Sequence, residues 1–364
     1  MQLLCIGDVA LADKNVAAQV WEPPKGIVPS DDVRILFNWE LPIGGSLNPQ
    51  PRSSGQRILA YPKSPYVLQK WAPGFAALAN NHILDAGEDG FVKTIQTLNR
   101  MGFTTLGAGR TWEEITHPVL WEGSQGRLAI VNWVFPETHP DWMCVPGPYC
   151  WPGLEEAGRI IQDLKRKTDW VLLLVHWSDE VFPYPRPQDR AIARELVSMG
   201  ADLIIGHHPH VVRGMEIVDS CPVFYSIGNF YFSDIPDSHG GWITRQAPRN
   251  REGLGIQVSF SRGRRPDYGL LSFWKLRNRV VLDPTRQAVT RLGRVSQPLR
   301  QFQASAYAEW YMNERIVFYQ SSYKWHFRLW RLGVNDIRRI LLKPFRRFLQ
   351  KNVMGHKGQS DLWG

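Results

Sequence analysis

Five short apolar runs, each stopping abruptly at Asp, Glu, Asn or His, constrain this 364-residue chain more than any other feature. Gln2-Leu-Leu-Cys-Ile ends at Gly7-Asp8, Arg34-Ile-Leu-Phe at Asn38-Trp-Glu40, and Gly74-Phe-Ala-Ala-Leu-Ala at Asn80-Asn-His82. Further along, Trp170-Val-Leu-Leu-Leu-Val ends at His176, and Asp202-Leu-Ile-Ile at Gly206-His-His-Pro-His210. An apolar run of this length bounded by polar residues reads as a buried strand delivering its last side chains to one end of a sheet.

Helical patterns lie between the runs. Phe91, Ile95, Leu98 and Met101 follow the three-to-four spacing within Gly87 to Met101, as do Ile192, Leu196 and Met199 within Arg186 to Met199. Gly102 and Gly200 stand where helix C-caps belong. Strands alternating with such helices predict a largely parallel sheet, whose chemistry collects beyond the carboxyl ends of its strands. Past Tyr225-Ser-Ile-Gly-Asn-Phe-Tyr-Phe232 the texture turns to Gly, Pro and Arg-rich loops, with Leu254 to Phe260 and Leu270 to Leu276 as antiparallel strands.

Each polar segment alone has an ordinary structural explanation. Asp8 suits a helix N-cap. Asn81-His82 before Asp85-Ala-Gly87 suits a turn, His176 a core imidazole, and His208-Pro-His210 a pair of loop histidines. Five such strand ends together point instead to a divalent metal site, which needs carboxylate, amide and imidazole ligands. His208 and His210, two apart in an extended segment, are expected to face one side.

The same segments resemble the CapA family of capsule or poly-γ-glutamate synthesis proteins, in the calcineurin-like metallophosphatase superfamily. Gly7-Asp8, Asn38-Trp-Glu40, Ala79-Asn-Asn-His82, Leu106-Gly-Ala-Gly-Arg110, His176-Trp with Glu180, Gly200 to His210, and Tyr225 to Phe230 carry the resemblance, over roughly residues 3 to 232. It implies an α/β fold, a metallophosphatase-like layered α/β sandwich with mixed β-sheets, over residues 1–280. A C-terminal extension with a basic helix occupies 281–364. It also implies one or two divalent ions (Mn, Fe or Zn). Asp8 and His210 would serve the first metal, Glu40 would bridge, and Asn81, His176 and His208 would serve the second. His82 would be the general acid, with Asp85 and Glu180 as catalytic partners. A phosphoester, or an amide in an anionic polymer, would be the substrate. Three positions depart from the pattern: Ala10 stands where a histidine is expected two residues after the first Asp, Glu40 stands in place of a bridging Asp, and Ser178 replaces a glycine. The first metal is therefore expected to bind weakly.

The formal charge of +9 is concentrated at one end, since residues 321–364 hold ten Lys or Arg against Asp336 and Asp361. Trp330, Val334, Ile337, Leu341, Phe345 and Phe348 mark one side of a basic amphipathic helix there, interrupted at Pro344. Such a tail reads as a helix packed on its own domain, a peripheral contact with an anionic membrane, or a site for an acidic partner, with nucleic acid ranked below these. An accessory protein binding a polyanion without turnover is the alternative to a hydrolase. No stretch approaches the roughly 20 apolar residues of a spanning helix. The N-terminus has no positively charged leader pattern, which predicts a cytoplasmic location. The four cysteines are too few for a disulfide scaffold. Cys5 and Cys221 read as core thiols, and Cys144 and Cys150 as a pair if oxidised or thiols if not.

Overall fold

A computed structural model describes residues 1–13, 21, 28–44, 58–138, 145–236 and 242–327. The tail helix proposed around Trp330 to Phe348, and Cys144 with its pairing, lie outside the described residues. The chain forms two compact units, Met1–Tyr311 and Met312–Gly364. The described part of the second unit is the end of the helix Ala304–Phe327.

Two mixed sheets organise the first unit. One runs in the order Val280–Leu282, Asp267–Lys275, Glu252–Ser259, Gln2–Ala10, Val33–Trp39, Gly74–Ala77, Phe103–Leu106, with Asn229–Phe232 also paired to the first strand. The other runs Met215–Val218, Cys221–Phe224, Leu203–His207, Trp170–His176, Gly126–Val134, Val119–Gly123. The expected parallel pairing is present among Gln2–Ala10, Val33–Trp39, Gly74–Ala77 and Phe103–Leu106, and among the four central strands of the second sheet. The antiparallel strands expected past Phe232 are present as Glu252–Ser259, which lies against Gln2–Ala10, and Asp267–Lys275. The largely parallel expectation needs correction only where hairpins close both edges of the second sheet. Short returns such as Gly123 to Gly126 are too brief for a crossover, so they enforce antiparallel neighbours.

Strand alternation explains how one chain builds two cores. Leu3, Cys5, Leu36, Phe75 and Ala77 face the second sheet and pack with Leu128, Ile130, Leu172, Leu174, Leu203 and Ile205. Leu4, Ile6, Ile35, Phe37 and Ala76 face the other way, against Leu68, Trp71, Phe91 and Leu98. Phe91 and Leu98 belong to the helix Gly87–Arg100, which covers this outer face. Beyond the second sheet lie the helices Leu154–Lys165 and Pro187–Ser198, completing a layered α/β sandwich. Both sides of each central strand are therefore dry, which is why the strands read as unbroken apolar runs. Each fully buried leucine contributes roughly 2 kcal/mol. The helix Gln287–Val295 adds Ala288 and Leu292 to the inter-sheet core. Among the described residues no helix is long and apolar enough to cross a membrane.

Candidate metal centre

The carboxyl ends of the parallel strands meet at one rim. The first strand carries a register shift between Ile6 and Asp8 against Val33–Trp39, and another between Asp8 and Val9 against Asn229–Phe232, a bulge of the kind that re-aims a side chain. Gly7 is required there because a Cβ would sit 1.9 Å from the Gly228 carbonyl oxygen. The bulge buries Asp8 completely beside Glu40, which follows the end of the Val33–Trp39 strand and is also fully buried. Asn38, two residues before Glu40 and thus on the same face, donates from Nδ2 to Asp8 Oδ1 at 2.8 Å and to Glu40 Oε2. Asn80 braces this amide, donating to Asn38 Oδ1 at 3.3 Å and to the Trp39 carbonyl at 2.8 Å.

From the second sheet come His176 and His208. Glu40, His176 and His208 each offer a ligand atom within 4.8 Å of the others, the only such set of three His, Cys, Asp or Glu among the described residues. His176 Nε2 lies 3.6 Å from Glu40 Oε1 and 2.8 Å from Asn81 Oδ1. The rings of His176 and His208 are 4.8 Å apart, centroid to centroid. His82 is close enough for its charge to act on both, and its Nδ1 sits 2.6 Å from Asp85 Oδ2. Glu180 is exposed; its charge is felt at Glu40 and His210, but no hydrogen bond joins it to His176 among the described residues.

The expectation of an extended His208-Pro-His210 is corrected. The strand stops at His207, and both His208 (φ 93°) and His210 (φ 58°) adopt left-handed backbone. Their rings still lie 5.8 Å apart, brought together by a strained turn rather than by strand alternation. Such strain is tolerated where the surroundings over-determine it, and clusters at functional sites.

The electrostatics suit a cation. Burial, with the positive charge of neighbouring histidines, holds His176 and His208 well below the usual imidazole range. Both are thus neutral, the form that ligates metals. Burial and the nearby Asp8 charge push Glu40 well above the usual carboxylate range. Burial also pushes Asp8 up, but the hydrogen bond and charge of His210 outweigh it, and the net direction is down. His210 is lowered by burial yet raised further by Asp8 and Glu40, to about 10. Glu40 Oε1, His176 Nδ1 and His208 Nδ1 are buried without a hydrogen-bond partner. A buried orphan carboxylate oxygen facing neutral imidazoles is costly in a protein alone and favourable beside a divalent ion, so these residues fit one.

Asp8, Glu40, Asn81, His82, Asp85, His176, His208 and His210 thus gather at one rim, with Glu180 at its exposed edge. Reading strand ends missed the amides between them. Asn229 Oδ1 lies 2.9 Å from His210 Nδ1. Asn132 accepts from the Ala79 N–H at 2.8 Å and donates to the Leu174 carbonyl at 3.3 Å, joining the two sheets behind the Asn81 loop. His207, fully enclosed next to the site with Nε2 unpartnered, was missed as well. The Asn-x-Glu spacing was a usable signal for Asn38; Asn132, inside an apolar strand, offered none.

The family model described as bacterial capsule synthesis protein PGA_cap matches residues 2–234. The capsule biosynthesis protein CapA of Bacillus anthracis is 28% identical over 163 residues, covering 43% of this chain and 39% of that protein. A probable polyglutamine synthesis accessory protein of Mycobacterium tuberculosis is 28% identical over 251 residues, 65% of this chain and 62% of that one. The match thus spans about two fifths of the Bacillus protein's length. A hypothetical protein from Thermus thermophilus aligns over 78% of this chain and 100% of its own, with 15% identity and a TM-score of 0.45.

Proposed function

This chain belongs to the bacterial capsule synthesis protein family PGA_cap, and from that premise we propose that it is a metal-dependent hydrolase acting on a phosphoester or amide. The polymer it serves is of the anionic, poly-γ-glutamate type. The observation that carries this reading is the convergence of Glu40, His176 and His208 donor atoms within 4.8 Å in a buried rim. These three residues would hold the ion, with the Asn81 amide oxygen beside His176. A divalent ion there (manganese, iron or zinc) would acidify water into a nucleophile at neutral pH and polarise the bond under attack.

The chain's own groups do the rest. His82 gives the leaving group its proton. Asp85 holds His82 Nδ1 and orients the ring, while Asp85 is itself fixed by accepting the Ile58 N–H at 2.9 Å. Glu180, at the exposed edge, adds negative charge near Glu40 and His210.

His208→Ala is the direct test. Bound metal and hydrolysis of a generic phosphodiester should both fall, turnover by at least about 100-fold; undiminished turnover sinks the hydrolase. A second reading, an accessory role that binds anionic polymer or a cytoplasmic membrane face without turnover, draws on the basic residues 321–364 and on the name of the M. tuberculosis relative. It is favoured if the metal is retained, no phosphoester or γ-glutamyl amide is cleaved, and deletion of 321–364 abolishes co-sedimentation with the polymer.

A further inference from the structure

We propose that Tyr307 and Tyr311, at the start of the helix Ala304–Phe327, are positioning residues for His208, acting through the loop that runs from Ser178 to Pro185. The inference rests on the metal-centre reading above. It extends that centre to a part of the chain beyond residues 2–234, the span of the family match.

The starting point is what aims the His208 ring. A ligating histidine is ordinarily oriented by a hydrogen bond at the ring, but His208 Nδ1 is buried with no partner. Its direction is therefore set by the backbone of its turn, left-handed at both His208 (φ 93°) and His210 (φ 58°).

That turn is held from outside. Its middle carbonyl, on Pro209, accepts the Val181 N–H at 2.8 Å. Val181 is itself left-handed (φ 57°), a genuine outlier for a β-branched residue, and Ser178 (φ 76°) opens the same loop. A second tie runs back from the segment that follows the turn. The fully buried Arg213 donates from Nε to the Phe182 carbonyl at 2.8 Å, from Nη1 to Ser178 Oγ and from Nη2 to the Asp179 carbonyl. Two strained turns thus face each other, and each persists only where its surroundings fix it.

The helix does the fixing. Phe182, fully buried next to Val181, meets the Tyr311 ring edge-on, with centroids 5.3 Å apart and planes at 88°. Tyr184 meets Trp310 in the same way at 4.7 Å. The Tyr307 hydroxyl donates to the Pro185 carbonyl at 2.7 Å, and the Arg190 guanidinium lies 4.3 Å from the Tyr307 ring. The loop is held at its middle and at its end by residues that all belong to the first unit, which closes at Tyr311. Loosening Phe182 loosens the Val181 N–H, and with it the carbonyl between the two histidines.

The test uses the full-length chain, stripped with chelator and titrated with Mn2+. Calorimetry gives the affinity, electron paramagnetic resonance the symmetry around the ion, and thermal melts of the metal-free protein the stability. Expected in folded Tyr311→Leu are an Mn2+ affinity lower by at least about 10-fold and an altered spectrum, with both restored in Tyr311→Phe. Val258→Ala is the control for stability alone, since Val258 lies in the inter-sheet core beside Leu3, at the other end of the strand from Asp8. It should lower the melting temperature and leave affinity and spectrum unchanged. Where Tyr311→Leu does not fold, Tyr307→Phe, which removes one hydroxyl from the same contact, decides by the same two readouts with a smaller loss. Wild-type affinity and spectrum in the deciding variant, or an equal loss of affinity in Val258→Ala, overturns the positioning role and leaves the metal centre standing. No Mn2+ bound by the folded wild type overturns both.

Discussion

Ser178 shows how a single side chain can carry two opposing costs. It has left-handed backbone (φ 76°), a conformation that disfavours a Cβ by about 1 kcal/mol. Its hydroxyl accepts from Nη1 of the fully buried Arg213, whose Nε donates to the Phe182 carbonyl at 2.8 Å and whose Nη2 donates to the Asp179 carbonyl. Glycine would relieve the backbone but orphan a buried guanidinium N–H, at about 2 kcal/mol. Ser178→Gly should therefore be less stable than wild type by roughly 1 kcal/mol, the difference of those two estimates. Ser178→Ala, which keeps the strain and loses the bond, should be the least stable of the three. Urea unfolding ranks them, and an alanine variant as stable as the glycine one would remove the argument. The departure from glycine at position 178 was visible in the sequence. Its compensation was not, because Arg213 is 35 residues away in the chain and no local pattern links the two.

Between elements, charge is buried where helix meets strand. Arg190, on the helix Pro187–Ser198, grips Glu216 of the strand Met215–Val218 through Nε (3.2 Å) and Nη2 (2.9 Å). Arg194 adds a contact at 2.8 Å, and the Tyr225 hydroxyl donates a further bond. Burial raises the Glu216 carboxyl, but its hydrogen bonds to Arg190 and Tyr225 and the arginine charges outweigh this and hold it below its ordinary range. A depressed carboxylate stabilises the fold above its unfolded pKa, near 4.3, and loses that contribution as pH falls through the folded value. Glu216→Gln should cost about 3 kcal/mol at neutral pH, because Arg190 is left buried and unpaired. The gap to wild type should close as the medium is acidified below about pH 4. Denaturant unfolding at several pH values reads it, and a gap that stays constant with pH would exclude the charge pair as its cause. Elements of this kind were partly legible. An unbroken apolar run marked the strand at Trp170 and a period-3.6 pattern the helix at Gly87, because both cores are purely apolar. The turn at His208 and His210 was not legible, since left-handed backbone at histidine is imposed by tertiary contacts and contradicts local preference.

At the scale of the whole molecule, the two sheets hold a costly arrangement in place: a buried carboxylate with an orphan oxygen beside two neutral imidazoles. The sheet-to-sheet core makes this tolerable, because Glu40 comes from one sheet and His176 and His208 from the other. An ion bound between them would act as a clasp across the sandwich. Without it, the raised Glu40 pKa means that the folded protein binds a proton the unfolded chain does not, so stability falls as pH rises out of the ordinary carboxylate range. With it, the proton is displaced, so metal affinity climbs over the same interval. Mn2+ at a fixed concentration, chosen as 100 times its dissociation constant at neutral pH, should thus stabilise the wild type by about 2.7 kcal/mol there, a gain that grows as pH is raised across the interval and is absent in His208→Ala. Thermal melts with and without Mn2+ across that interval decide the matter. A gain that shrinks as pH rises would mean that Glu40 is not the carboxylate displacing its proton for the ion, while an equal gain in His208→Ala would place the ion elsewhere on the molecule.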